Sequence, residues 1–170
     1  AAAARPSTAA SARNSGWRAC PHADLVAFVD AETQLPEGWA TVLAAHFADP
    51  HVAAVAPRIR PRADGAPRRL AAYEAVRSPH DRGPSPAVVG KVDGVRHVPG
   101  ATLMVRRAAL ERIGGFDESL RYGEDIDLIR RITTCGDVVR YDPSVVVTDP
   151  VPATWVRWLR KRYAYGTSVV

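Results

Sequence analysis

The sequence predicts an α/β fold in which a mostly parallel sheet is flanked by helices. Two short apolar runs, 24–29 and 52–56, lack polar alternation, as do strands covered on both faces. Between them Trp39, Val42, Leu43, His46 and Phe47 recur at steps of three and four, the signature of a helix with one apolar face. Strand, helix and strand in that order describe a parallel unit. With 170 residues, 46% hydrophobic and 24% charged, the chain has the material for one domain with a real core.

The elements follow in order. Residues 7–19 read as an alanine-rich helix begun by Pro6 and Ser7. The first strand ends abruptly in acid, Asp30-Ala31-Glu32, and Pro36-Glu37 opens the helix that Asp49-Pro50 stops. From Arg58 to Val98 the pattern dissolves into two loop stretches, 60–67 and 78–86, with a short helix at 70–76 between them. Surface excursions of this kind often carry substrate contacts. Order returns with a strand at 101–105, a helix at 107–113, a Gly114-Gly115 turn and a helix at 124–135 closed by Gly136. Residues 138–141 and 145–148 read as a strand pair across Asp142-Pro143, and 153–165 as a basic helix. Neither an internal repeat nor a second core is evident.

The net charge is +5 and the cations are almost all arginine, with Lys91 and Lys161 the lysines. Arginine suits phosphate and carboxylate recognition, so the excess fits nucleic acid, an acidic membrane surface or a nucleotide diphosphate. Cys20 and Cys135 stand far apart and read as small core residues in a reducing, cytoplasmic setting. No apolar run approaches the roughly 20 residues of a membrane span, and Ala1–Ala4 leads into Arg5-Pro6 rather than a leader's apolar core. The first residue is not Met, and the sequence reads as opening in mid-domain. Glycine-rich phosphate loops, a dinucleotide fingerprint and a nucleophile elbow are absent, and His22, His46, His51, His80 and His97 lack metal-ligand spacing.

Three groups remain that carry chemistry. Asp30 and Glu32 leave a strand at its carboxyl end, where ligands of open α/β sheets gather. Two hard oxygen donors there suit Mg²⁺ or Mn²⁺, although an acid after a strand is also an ordinary turn residue. Glu124 and Asp125 begin a helix, where acids are favoured by the dipole; Asp125 is equally placed to serve as a general base. Trp155, Arg157, Trp158, Arg160, Lys161, Arg162 and Tyr163 make a basic aromatic helix, and 151–170 hold four cations and no acid. That helix reads as a solvated face, as a segment on the inner face of an anionic membrane, or as a clamp for diphosphate or acceptor.

Taken together, the order of motifs resembles family 2 glycosyltransferases. Ser11-Ala12-Arg13-Asn14-Ser15-Gly16, the strand into Asp30-Ala31-Glu32, and Leu35-Pro36-Glu37-Gly38-Trp39 are similar to the middle of that family. Arg106-Arg107-x-x-Leu110, Gly114-Gly115-Phe116-Asp117-Glu118 and Gly123-Glu124-Asp125-Ile126-Asp127-Leu128 look like its acceptor-side signature. The likeness covers nearly the whole chain. Within it, 48–59 and 73–79 look most like the mycofactocin-system branch, which builds a glucose chain on a peptide-derived redox cofactor.

The resemblance implies a GT-A domain over 1–150, incomplete at its N-terminus, with 151–170 opening a further region. It implies a nucleotide-diphosphate sugar donor, a divalent cation (Mn²⁺ or Mg²⁺), inversion at the anomeric carbon and a small-molecule or peptide-derived acceptor, with no nucleic-acid partner. Carried over residue by residue, Asp125 is the base with Glu124 beside it. Asp30, Arg13, Asn14 and Arg162 meet the nucleotide sugar, and Asp30, Glu32 and Asp149 hold metal. Phe116, Asp117, Glu118 and Trp158 meet the acceptor. Glu32 stands where the family has Asp, and Thr148-Asp149-Pro150 where many relatives have a His. The family's opening strand and helices, which hold the nucleotide base, have no counterpart. A non-catalytic binding module, an inactive remnant and a nucleotidyltransferase are the rival readings, the last having no evident need for the acceptor-side signature.

Overall fold

Thr8 opens the first helix by accepting the Ser11 N–H on its hydroxyl at 3.1 Å, and α1 runs over Ala9–Arg18. The structure is a computed structural model that describes residues 8–90 and 95–166; the expected start at Pro6-Ser7 lies outside them. After α1 come β1 (Leu25–Val29), α2 (Trp39–Ala45) with a 3₁₀ turn at His46–Ala48, β2 (Val52–Arg62) and α3 (Arg68–Arg77). Then follow β3 (Ala87–Val88), β4 (Thr102–Arg106), α4 (Arg107–Ile113), α5 (Glu124–Thr134), β5 (Val138–Pro150) and α6 (Trp155–Gly166).

The five strands form one sheet in the order β1-β4-β2-β5-β3. As predicted, β1 and β2 share one direction; β5 shares it too and forms the long parallel ladder with β2. The sheet is nevertheless mixed. β4 inserts antiparallel between β1 and β2, and β3 lies antiparallel on β5. β1 is consequently an edge strand, with Val29 38% exposed, and not the strand covered on both faces that its apolar run predicts.

The expected strand pair after α5 is one continuous strand. Pro57 pairs with Asp142 while Arg58 pairs with Val146, so β5 bulges by three residues and rejoins the same neighbour. An odd insertion exchanges the faces of a strand. Val139 and Tyr141 accordingly join the core beneath α1, α4 and α5, whereas Val145 and Val147 join the core beneath α2. β2 also runs six residues beyond its apolar start, through Pro57 and Pro61. Its β4 ladder engages only Ala54 and Val55, and a strand with one free side tolerates proline.

Two arginines of the Arg106-Arg107 pair work as carbonyl ties. Arg106 donates to the Phe47 and Val52 carbonyls, and Arg107 to those of Trp17 and Cys20, closing the ends of α1 and of the 3₁₀ turn. The cysteines are exposed rather than in the core, Cys20 just past α1 and Cys135 capping α5. α6 is anchored through Glu74 of α3, whose carboxylate, 6% exposed as a residue, accepts from Arg162 Nη2 at 2.7 Å and from the Trp158 indole N–H. No helix among the described residues is long and apolar enough to cross a membrane.

Candidate active site

The loop Pro99-Gly100-Ala101 joins the two acidic motifs. Where β1 ends, the Asp30 N–H donates to the Ala101 carbonyl at 2.8 Å. One residue earlier, the Gly100 N–H donates to Asp125 Oδ2 at 2.7 Å. A Cβ on residue 100 would lie 2.8 Å from the Asp125 Cβ, so glycine is what admits the carboxylate so close to the backbone. Asp125 Oδ1 accepts from the Ile126 N–H, and the first turn of α5 follows Gly123 with no side-chain cap. Each oxygen thus carries one hydrogen bond and retains a second lone pair.

Arg13 makes the second link. Its Nη1 donates to Glu124 Oε1 at 2.6 Å and its Nη2 to Asp30 Oδ1 at 2.8 Å. The Arg13 and Glu124 side chains are 14% and 13% exposed, against 50% for Asp30. Burial works to lower the Arg13 pKa, but Asp30 and Glu124 more than offset it and hold the guanidinium above its ordinary value. One cation therefore fixes the spacing of the strand-end acid and the helix-start acid.

These groups line a cleft of about 460 Å³. The surface excursion contributes Arg82 and His97 to it, and α6 contributes Tyr165. Arg82 Nη2 meets His97 Nε2 at 2.6 Å. Burial, reinforced by Arg82, lowers the His97 pKa against a weaker opposing pull from Asp125, which favours the neutral ring. Burial likewise pulls Arg82 below its ordinary value, opposed by Tyr141 and Asp125.

Of the residues singled out in the sequence, Arg13, Asp30, Glu124 and Asp125 meet at this cleft. Asn14 does not face it. It is 1% exposed, and its amide is consumed by the Phe116 N–H and carbonyl, Glu118 Oε1 and the Trp17 indole N–H. Phe116 is a core residue, edge-on to Phe28 at 5.0 Å between ring centroids. Asp117 turns back on Ser119, and Glu118 binds Asn14 and Arg18. Arg162 and Trp158 are committed to Glu74. The aromatic residue that α6 brings to the cleft is Tyr165, about two turns beyond Trp158.

Glu32 is exposed, with Arg62 reaching its backbone carbonyl rather than its carboxylate. Asp149 accepts from the Thr33 hydroxyl and faces His80 Nδ1 at 3.8 Å. Among the described residues no three His, Cys, Asp or Glu side chains converge as a ligand set. Burial would raise the Asp149 pKa, but His80 and Thr33 outweigh it and hold the carboxyl below the usual range. Its stabilisation is then present above the unfolded value of about 3.9 and lost as pH falls through the folded one. Asp149→Asn is expected to lower the neutral-pH Tm and to flatten its decline below about pH 4. An unchanged Tm–pH profile would remove Asp149 as a source of acid sensitivity.

The comparisons with known proteins bear on the family and the fold. The family model described as glycosyl transferase family group 2 matches residues 25–169. The chain belongs to that family. Among curated relatives, the pre-mycofactocin glycosyltransferases of Mycobacterium tuberculosis strains CDC 1551 / Oshkosh and ATCC 25618 / H37Rv are each 39% identical over 159 residues, 94% of this chain and 33% of theirs. The chain thus spans about a third of the length of these relatives. Among solved structures, mannosyltransferase PcManGT from Pyrobaculum calidifontis, in complex with GDP-Man and Mn²⁺, matches with a TM-score of 0.61 at 26% identity, covering 91% of this chain and 40% of that one. GalNAc-T7 with UDP, GalNAc and Mn²⁺ matches with a TM-score of 0.59 at 15% identity, over 84% of this chain and 30% of that one, a likeness of fold. The GT-A-like α/β architecture and the family read from the motifs are borne out.

Arg82, His97 and Gly100 were not singled out in the sequence. Histidine spacing points only to metal sites, and His97 lies 15 residues from its partner. The one local signal was that both belong to the irregular excursion.

Proposed function

We propose that this family 2 glycosyltransferase domain moves a sugar from a nucleotide-diphosphate donor to an acceptor hydroxyl with inversion, Asp125 acting as base. The carrying observation is that Asp30 and Asp125 are held at one cleft by the 99–101 loop and by Arg13. Asp125 receives the hydroxyl proton, and Glu124, pinned by Arg13, keeps the start of α5 in place. The likeness to the pre-mycofactocin glycosyltransferases supports an acceptor related to theirs; glucose as the sugar and a peptide-derived small molecule as acceptor follow from the motif resemblance alone. Residues 151–170 are read as the opening of a further region beyond the catalytic domain.

Asp30 and Glu32 have the donor chemistry that a divalent cation takes. Both are exposed carboxylates, and Mg²⁺ or Mn²⁺ in such enzymes takes one or two protein carboxylates with phosphate oxygens and water completing the shell. When bound, the cation neutralises charge on the departing diphosphate. Asp30 would offer the carboxylate oxygen that Arg13 leaves free, while Glu32 adds the longer reach.

Calorimetric titration of UDP-glucose and GDP-mannose with and without Mn²⁺, followed by acceptor assays, tests the reading. Metal-dependent donor binding supports it; donor binding without transfer to any alcohol sinks it. Glu32→Ala is expected to weaken the Mn²⁺ dependence of donor binding about tenfold, equivalent to roughly 1.4 kcal/mol. A manganese titration identical to the wild type would remove Glu32 as a ligand.

A further inference from the structure

Among the described residues Arg82 is a guanidinium without a paired anion. Its Nε is buried and has no hydrogen-bond partner among them, and its Nη2 is directed at the Nε2 of a histidine. Among the described residues no carboxylate forms an ion pair with it, although Arg13 holds two acids and Arg58 is doubly bonded to Asp81. Asp125 lines the same cleft but makes its bonds to the Gly100 and Ile126 N–H groups. Withdrawing a cation from water without pairing it is unfavourable, so the position makes physical sense where a ligand supplies the negative charge. The planar fork of arginine matches phosphate oxygens in particular.

We propose that Arg82, braced by His97, binds the phosphate oxygens of the nucleotide diphosphate in the cleft. The inference rests on the donor reading above. His97 accepts from Arg82 at Nε2, which places its own proton on Nδ1 and leaves the guanidinium's other Nη N–H groups for the ligand. Negative charge grows on the diphosphate as its bond to the sugar breaks. A fixed cation in a site partly closed to water stabilises that charge without reorganisation. Because Asp125 and Arg82 are not ion-paired, the base and the cation each stay available for a different end of the reaction.

The probe is inorganic pyrophosphate, which carries neither sugar nor base. It is titrated by calorimetry into this chain and into Arg82→Gln, with Arg69→Gln, an exposed change on α3, as control. Saturable binding by the wild type, at least tenfold weaker binding by Arg82→Gln and a change under twofold for Arg69→Gln are expected. Malonate, a dicarboxylate, is expected to bind at least tenfold more weakly than pyrophosphate. Loss of a half-buried charge with no ion-pair partner among the described residues should leave the Tm of Arg82→Gln unchanged or raised, whereas a purely structural arginine would lower it. Arg82→Lys is the second variant should the first not fold, with affinity expected several-fold below wild type because the fork is gone. No pyrophosphate binding by the folded wild type, wild-type affinity in the variant, or malonate binding as tight as pyrophosphate would each overturn the assignment. Pyrophosphate binding through Arg82 without sugar transfer would instead leave this site standing and defeat the transferase reading.

Discussion

Asp125→Asn is expected to lower turnover by about 10²–10⁴-fold in a glycosyl-transfer assay, the range that a positioned general base contributes. Asparagine has nearly the same shape, and its carbonyl oxygen can still accept the Gly100 N–H that Asp125 Oδ2 accepts now, while its NH2 gives up the Ile126 N–H bond that Asp125 Oδ1 accepts. The start of α5 should therefore stay where Arg13 and Glu124 hold it. What asparagine lacks is the capacity to take up a proton. The prediction is thus a split: donor affinity within about twofold of wild type, against a collapse of the chemical step. Calorimetry with the donor and single-turnover kinetics measure the two halves separately. Near-normal turnover in the variant would remove Asp125 as the base; parallel loss of donor binding would instead mean that the substitution disturbs the cleft.

The largest effect on stability is expected from Gly115→Ala. Gly115 has φ +79, and a Cβ there would meet Asn14 Oδ1 at 2.5 Å and the Trp17 indole nitrogen at 2.9 Å. Those atoms bond to each other, and Asn14 Oδ1 also accepts the Phe116 N–H at 2.9 Å. Alanine therefore adds left-handed strain of about 1–2 kcal/mol to the loss of a buried hydrogen bond, about 1–3 kcal/mol. A total near 3 kcal/mol should move the urea midpoint down by roughly 1–2 M at constant slope. Gly114→Ala separates the two contributions, because its φ is +78 but nothing lies within 4 Å of its Cβ. It should show the strain alone. Equal losses in the two variants would mean that the Asn14 hub does not require glycine at 115.

This hub also explains why Asn14 and Phe116 read as ligand contacts in the sequence. A motif around a site contains both the residues that touch substrate and those that build the loop, and spacing does not separate them. Only burial does: Asn14 and Phe116 are 1% and 3% exposed, so their place in the signature is structural. Trp158 and Arg162 are held in a comparable way by a buried acid. A basic aromatic helix looks like a ligand platform until Glu74 is found beneath it, and that acid, mid-helix in α3, carried no local sign of its partners.

Local sequence did indicate the helices read at 107–113 and 124–135, the acids at the end of β1 and at the start of α5, and the resemblance to the family, because periodicity, glycine turns and motif order act over a few residues. The mixed sheet, the three-residue bulge of β5, the Arg13 bridge and the Arg82–His97 pair came only from the tertiary structure. Arg13 and Glu124 are 111 residues apart in the chain, and Gly100 and Asp125 are 25 apart. Their meeting depends on β4 lying antiparallel against β1, a register chosen by the packing of both sheet faces together. No window of sequence contains that choice, so the candidate acids were visible beforehand while the cations that position them, or wait for a ligand, were not.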